Sequence, residues 1–327
     1  MDLAVETSGL TKRYGSLTAV NKLDLQVKRN TIHGFLGPNG AGKTTTIKIL
    51  VGLLKPNEGT VKVLGQELHG GKNADFLHQW FFEQADSRLS IGYMPELPKF
   101  PKHLKGAELL DIYGQMYGMT PQQRKEQIPK LIELVGLKGR ENDLIGKYSK
   151  GMQQRIGIAQ ALLNNPDLVI LDEPSLGLDP VGMVEVREVV KEIAKEGRTV
   201  FVSSHLLFEV EQTCTDVTII NRGKALVSDT LQNVSGLLLG PAMLHVEVVK
   251  MSNKVVSAVK KLPFVSSVVQ TGSSLRIQIT THEDLRAQVS QEITRAGGII
   301  IGMSQKVSNL EDVFIQLISK DQGGKPQ

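Results

Sequence analysis

The stretch Gly37-Pro38-Asn39-Gly40-Ala41-Gly42-Lys43-Thr44-Thr45 constrains this chain more than any other. It fits the pattern of a glycine, four residues, then Gly-Lys-Ser/Thr. Apolar, β-prone Thr31-Ile-His-Gly-Phe-Leu36 precedes it, and Thr46-Ile-Lys-Ile-Leu-Val51 follows with helical spacing. The motif therefore joins a buried strand to a helix. Gly37, Gly40 and Gly42 let the backbone curl until successive N–H groups face one point, which makes an anion nest. The helix beginning near Lys43 adds its positive dipole end. Lys43 then reaches the outer phosphates as a point charge, and the Thr44 hydroxyl is placed to ligate Mg²⁺. These residues describe a nucleoside triphosphate site.

The rest of the chain supplies an edge for such a loop. Residues 3–8 and 22–28 alternate apolar and polar, as half-buried antiparallel strands do. After the loop, strands at 59–65, 91–94, 168–172, 199–203, 217–220 and 224–227 are interleaved with helical patterns. That alternation predicts an α/β fold with a mostly parallel sheet. Residues 104–137 hold two helical stripes divided by Gly118-Met-Thr-Pro121, and are expected to form a helical lobe of about 97–148 inserted between strands. Ser149 reads as the N-cap of the next helix. Beyond about residue 233 the order becomes β-α-β-β-α-β, that of a small α+β ferredoxin-like domain with no cluster of catalytic residue types. The expected division is thus 1–233 and 234–327, closed by a helix capped at Ser308 or Asn309 and a disordered tail from Lys320.

Two carboxylates give the loop its chemistry. Apolar Leu168-Val-Ile-Leu171 ends in Asp172-Glu173. Asp172 can hold Mg²⁺ directly or through water, and Glu173 can polarise an attacking water. His205 also ends a strand, on the ligand edge of a parallel sheet; it contacts a γ-phosphate or plays a structural part. Tyr14, in the turn Lys12–Ser16, either stacks on a nucleobase or closes a sheet edge. Two GTPase-like strings, Asn21-Lys-Leu-Asp24 and Asp143-Leu-Ile-Gly146, lie in the wrong context and do not fix the base as guanine. The aromatic run Phe76–Phe82, with His69, His78 and Glu83 near it, has no metal-ligand spacing and reads as packing.

Composition narrows the class. A net charge of +4 over 327 residues is too mild for a nucleic-acid groove, so no nucleic acid is expected. The single cysteine, Cys214, excludes an internal disulfide and suits a reducing compartment. The apolar run Leu237–Leu244 is short and broken by Gly240-Pro241, so any membrane span must come from another chain.

Taken together, residues 1–230 resemble the ATP-binding subunit of an ABC transporter, in the branch that serves separate membrane subunits in export. The resemblance implies a P-loop NTPase fold of ABC ATPase type and the cofactors ATP and Mg²⁺. It also implies that Tyr14 stacks on adenine and that His205 is the switch histidine. The family's strand-end glutamine is replaced here by Glu96 in Tyr93-Met-Pro-Glu96, which could face the ion through water. The family signature appears as Tyr148-Ser149-Lys150-Gly151-Met152, keeping Ser149 and Gly151, and the following loop as Ser175-Leu-Gly-Leu-Asp179. By the same resemblance, two subunits, identical or paralogous, sandwich two ATP, with Ser149 and Gly151 of each capping the γ-phosphate held by the other. The chain then works in the cytoplasm on the inner face of the membrane, hydrolysing ATP to drive a permease. The alternative is a soluble ATPase of this type acting on ribosomes or DNA. Such proteins usually carry two cassettes or a long coiled-coil insertion, and this chain has neither.

Overall fold

A computed structural model describes residues 2–68, 91–236, 242–280, 284–306 and 310–321. The chain divides into two compact units, Met1–Leu231 and Gln232–Gln327.

In the first unit, β1 (Leu3–Tyr14) and β2 (Leu17–Lys28) form an antiparallel hairpin. Both strands outrun the segments expected from alternation. The pairing shifts register between Thr7 and Leu10, where Gly9 adopts φ +57, and this bulge breaks the two-residue period without ending the ladder. Tyr14 is consequently the last residue of β1, not part of a turn; the turn is Gly15-Ser16 alone.

The central sheet begins with β3 (Ile32–Leu36), every residue of which is buried. Helix α1 (Lys43–Leu50) follows the phosphate loop and ends where Gly52 takes φ +72 just beyond it. β4 (Glu58–Val63) and β5 (Gln66–Glu67) return to the hairpin layer, giving the order β2-β1-β4-β5. β6 (Ile91–Met94) re-enters the central sheet. The lobe helices α2 (Gly106–Met116) and α3 (Pro121–Leu134) come next. Thr120 starts α3 by accepting from the Gln123 N–H, while the Gln123 side chain accepts from the Thr120 N–H, a reciprocal cap.

The remaining central elements are α4 (Lys150–Leu162), β7 (Leu168–Asp172), α5 (Pro180–Lys195), β8 (Thr199–Ser204), α6 (Leu207–Thr213), β9 (Asp216–Asn221) and β10 (Lys224–Thr230). The sheet order is β10-β9-β3-β8-β7-β6. β9, β3, β8, β7 and β6 are mutually parallel, and only β10 runs against its neighbour. β7 and β8 are buried throughout, as strands covered on both faces must be. Helix α6 was not anticipated; it is short and its N-cap, Leu206, makes no side-chain cap.

The junction helix α7 (Leu231–Gly236) leads to the second unit. There β11 (Ala242–Val248), α8 (Asn253–Lys260), β12 (Val265–Thr271), β13 (Ser274–Ile279), α9 (Arg286–Arg295), β14 (Ile300–Lys306) and α10 (Leu310–Asp321) follow in order. The antiparallel order β12-β13-β11-β14 places β13 between β11 and β12, which is a split β-α-β arrangement. Val255 and Val259 of α8, and Val289 and Ile293 of α9, pack on Leu244, Val246, Leu275 and Ile277. The closing helix runs on to Asp321, past the expected start of the tail at Lys320. Phe76–Phe82, His69, His78, Glu83, Ser308, Asn309 and residues 322–327 lie outside the described residues.

One buried group makes the first unit sensitive to acid. His33 on β3 is fully enclosed, stacked on Phe201 at 5.8 Å, with Nε2 2.8 Å from the Thr218 hydroxyl. Burial foremost pushes its imidazole down from 6.5 to about 4, against the pull of nearby Asp216. The unfolded chain therefore binds the proton first. Stability is intact above pH 6.5 and drains away as pH falls toward about 4. Urea unfolding of the wild type and of His33→Gln across that window should diverge by on the order of 3 kcal/mol, the variant losing less.

Candidate active site

Because β3, β6, β7 and β8 are parallel, their carboxyl ends share one edge of the sheet. That edge carries the phosphate loop after β3, Glu96 after β6, Asp172-Glu173 at the end of β7, and Ser203-Ser204-His205 at the end of β8. Between them opens a cleft of ≈ 470 Å³ lined by the loop, Glu96, Glu173 and His205, but not by the wholly buried Asp172 or Ser203. Its lining includes Tyr14, Asn39, Gly40, Gly42, Lys43, Thr44, Thr45, Glu96, Glu173 and His205.

The loop is held by its own backbone. The Ala41 N–H donates to Pro38 O at 3.1 Å, and the Gly223 N–H donates to Ala41 O at 2.8 Å. Gly37 sits so close to β9 that a Cβ there would lie 2.4 Å from Ile220 O. Gly42 caps α1 with φ +107, and a Cβ there would lie 2.4 Å from Ala19 O. No acidic residue occupies the first turn of α1, so its free N–H groups keep their positive field. Lys43 is buried; its ammonium donates to Gly37 O at 2.7 Å and lies 3.1 Å from Glu173 Oε1.

The two carboxylates have different surroundings. Glu173 is buried between two cations or potential cations, Lys43 on Oε1 and His205 Nδ1 at 2.7 Å on Oε2. Its backbone is left-handed, φ +51, a conformation costing about 1–2 kcal/mol in a non-glycine residue. Asp172 is fully buried, and its Oδ1 accepts from the Ser203 hydroxyl at 2.6 Å. Burial foremost raises its carboxyl above the ordinary value, and the charges of Glu96 and Glu173 push the same way. Ser203 and the Thr44 hydroxyl oppose that shift. Asp172 Oδ2 is buried without a hydrogen-bond partner. An orphaned carboxylate oxygen beside a threonine hydroxyl fits a small hard cation that takes its other ligands from phosphate and water, as Mg²⁺ does.

Other sequence candidates lie apart from this cleft. Ser149 N-caps α4, accepting from the Met152 N–H at 3.2 Å, and is exposed. Neither it nor Gly151 lines the cleft. Asp179 N-caps α5, accepting from the Gly182 N–H at 2.8 Å. Tyr14, by contrast, lines the cleft and is half exposed, with the Lys12 ammonium 5.5 Å from its ring. Nothing in the sequence marks Ser203, since a serine ending an apolar strand looks like any other.

The ABC transporter family matches residues 20–176. The bacitracin transport ATP-binding protein BcrA of Bacillus licheniformis is 42% identical over 227 residues, 69% of each chain. The ABC transporter ATP-binding protein YxlF of Bacillus subtilis is 33% identical over 316 residues, 97% of this chain and 99% of its own. The chain belongs to the ATP-binding subunits of ABC transporters. It is accordingly an ATPase subunit, and the likeness to YxlF runs through both units. A solved ATP-binding subunit of an ABC transporter superposes with a TM-score of 0.60 at 29% identity, covering 72% of this chain and 92% of the other.

The loop geometry orders two substitutions in this ABC subunit. Gly42→Ala meets both strain and a backbone oxygen, whereas a Cβ on Gly40, φ +79, meets nothing within 4 Å. Gly42→Ala should weaken ATP binding by about tenfold or more and Gly40→Ala by clearly less. Titration with a fluorescent ATP analogue distinguishes them; equal effects would contradict the crowding at Ala19.

Proposed function

We propose that this subunit binds Mg·ATP in the cleft along the ends of β3, β7 and β8, hydrolyses it only when paired with a second subunit, and so powers export through a separate membrane-spanning partner. One observation carries the reading. The triphosphate machinery converges on one cleft, while the signature residues Ser149 and Gly151 stand outside it at a helix N-terminus. Such a terminus attracts anions. It is therefore suited to cap the γ-phosphate of a second subunit in a two-fold arrangement.

In this reading the loop N–H groups and Lys43 grip the β- and γ-phosphates, and Tyr14 stacks on the adenine. Thr44 and Asp172 would hold Mg²⁺, and Glu96, which lines the same cleft, would add a further carboxylate near it. When bound, the ion neutralises charge building on the phosphate oxygens. Glu173 takes the proton of the attacking water, and His205, already on Glu173 Oε2, orients that carboxylate and reaches the γ-phosphate. The Lys43–Glu173 contact adds a consequence. Phosphate competes for the ammonium, so substrate binding loosens one of the two restraints on the general base.

No helix among the described residues is long and apolar enough to cross a membrane, which supports a separate membrane partner. Ile112 and Met116, one turn apart on α2, are both exposed and give the lobe an apolar docking face. Placement on the cytoplasmic side of the membrane follows from that partner. The likeness to a bacitracin transport ATP-binding protein supports a transport role, for which export is the direction proposed.

Glu173→Gln should abolish turnover while ATP binding persists and a nucleotide-bound dimer accumulates on gel filtration; an unchanged rate would remove Glu173 from the chemistry. Lys43→Ala should weaken ATP binding itself. Turnover per subunit should rise with protein concentration and fall sharply in Ser149→Ala; a rate indifferent to both would refute the shared site. Affinity purification should bring down a multispanning membrane protein, and ribosomes or DNA in its place would favour the alternative.

A further inference from the structure

Ser203, next to last in β8, is fully buried, and its single hydroxyl serves both residues of the carboxylate pair on β7. It donates to Asp172 Oδ1 at 2.6 Å and accepts from the Glu173 backbone N–H at 2.9 Å. A serine hydroxyl has one proton and two lone pairs. The proton is thus committed to Oδ1, which fixes the rotation of the Asp172 carboxylate and leaves Oδ2 as its uncapped atom. Oδ2 is the buried oxygen without a hydrogen-bond partner, in the carboxyl group that Thr44 adjoins. The second bond bears on Glu173. Strand alternation would send the side chains of Asp172 and Glu173 to opposite faces. The left-handed turn at Glu173, φ +51, overrides this and lets its carboxylate meet Lys43 and His205. The N–H of that turn is the one Ser203 accepts from.

We propose that Ser203 is a positioning residue for ATP hydrolysis: one hydroxyl sets Asp172 with a single oxygen toward a divalent cation and locks the backbone turn that delivers Glu173 to the reacting phosphate. Ser203 touches neither substrate nor ion and acts through its two neighbours. The inference rests on the metal role proposed for Asp172 and is tested separately from it. A residue that only filled space at this point would need no hydroxyl.

The test uses the full chain, with Mn²⁺ as a spectroscopic probe of the Mg²⁺ site. Mn²⁺ is titrated by electron paramagnetic resonance in the presence of a non-hydrolysable ATP analogue, and binding of a fluorescent ATP analogue is measured in EDTA. Ser203→Ala should lower Mn²⁺ affinity by about 10–100-fold, as loss of a ligand-orienting bond does. It should lower kcat and move KM for ATP much less, and leave metal-free nucleotide affinity at the wild-type value. Ser203→Thr keeps the hydroxyl, and Ser203 borders a small cavity with Val202, Val210 and Cys214, so this variant should restore Mn²⁺ affinity and kcat. If Ser203→Ala does not fold, Ser203→Cys, close in size but a weak donor, carries the same expectation. Wild-type Mn²⁺ affinity in the hydroxyl-free variants would overturn the proposal. So would equal damage in Ser203→Thr, or a matching loss of metal-free nucleotide binding, since either would mark a packing role. Asp172→Asn separates the two levels. Loss of Mn²⁺ there with none in Ser203→Ala sinks only the part given to Ser203, and unchanged Mn²⁺ affinity in Asp172→Asn removes the metal site beneath it.

Discussion

A buried ammonium and a buried carboxylate, Lys43 and Glu173, stand 3.1 Å apart at the middle of the sheet's carboxyl edge. Taking two charges out of water costs several kcal/mol each unless their remaining valences are met. Here they are met by Gly37 O on the lysine and His205 on the glutamate. The pair can form only if the ends of β3, β7 and β8 lie side by side. The parallel register of β3 with β8 and of β8 with β7 arranges that. The apolar strands supply the burial, and the burial makes the pairing obligatory.

The same edge has a mechanical connection to the signature helix. Gln154 on α4 is buried and donates through Nε2 to the backbone oxygen of Glu96 at 3.3 Å. Gly157, one turn further along α4, lies against Met94 at the end of β6, where a Cβ would come within 3.2 Å of its side chain. Both contacts tie α4 to the segment that carries Glu96 into the cleft. On its other side, Arg187 of α5 pairs with Glu209 of α6 at 2.8 Å, both largely buried. This pair ties the helix capped by Asp179 to the helix that follows His205. Side-chain contacts thus join the Glu96 segment to α4, and α5 to α6.

Much of this was readable in advance wherever the chemistry is local. The phosphate loop, the acid pair ending β7 and the Ser149 cap are each written in a few adjacent residues with a physical reason for their order. Element type in the second unit was also legible, because short amphipathic segments there alternate cleanly. The misreadings have specific causes. A bulge at Gly9 hid the length of the hairpin, and placed Tyr14 in a turn when it ends a strand. Gly52 set the end of α1 by adopting a backbone conformation that no periodicity signals. Helix α6 has no side-chain cap to announce it.

By itself the sequence determined that a phosphate loop would join a strand to a helix, that an acid pair would end a buried strand, and that Ser149 would open a helix. Each depends on neighbours along the chain. Only the tertiary structure decided which side chains share a pocket: that Glu173 lies between Lys43 and His205, that Ser203 bridges both acids, and that Ser149 lies outside the cleft. Those facts follow from the pairing order of strands far apart in sequence. That order is set by the joint burial of many apolar faces, which no single stretch encodes.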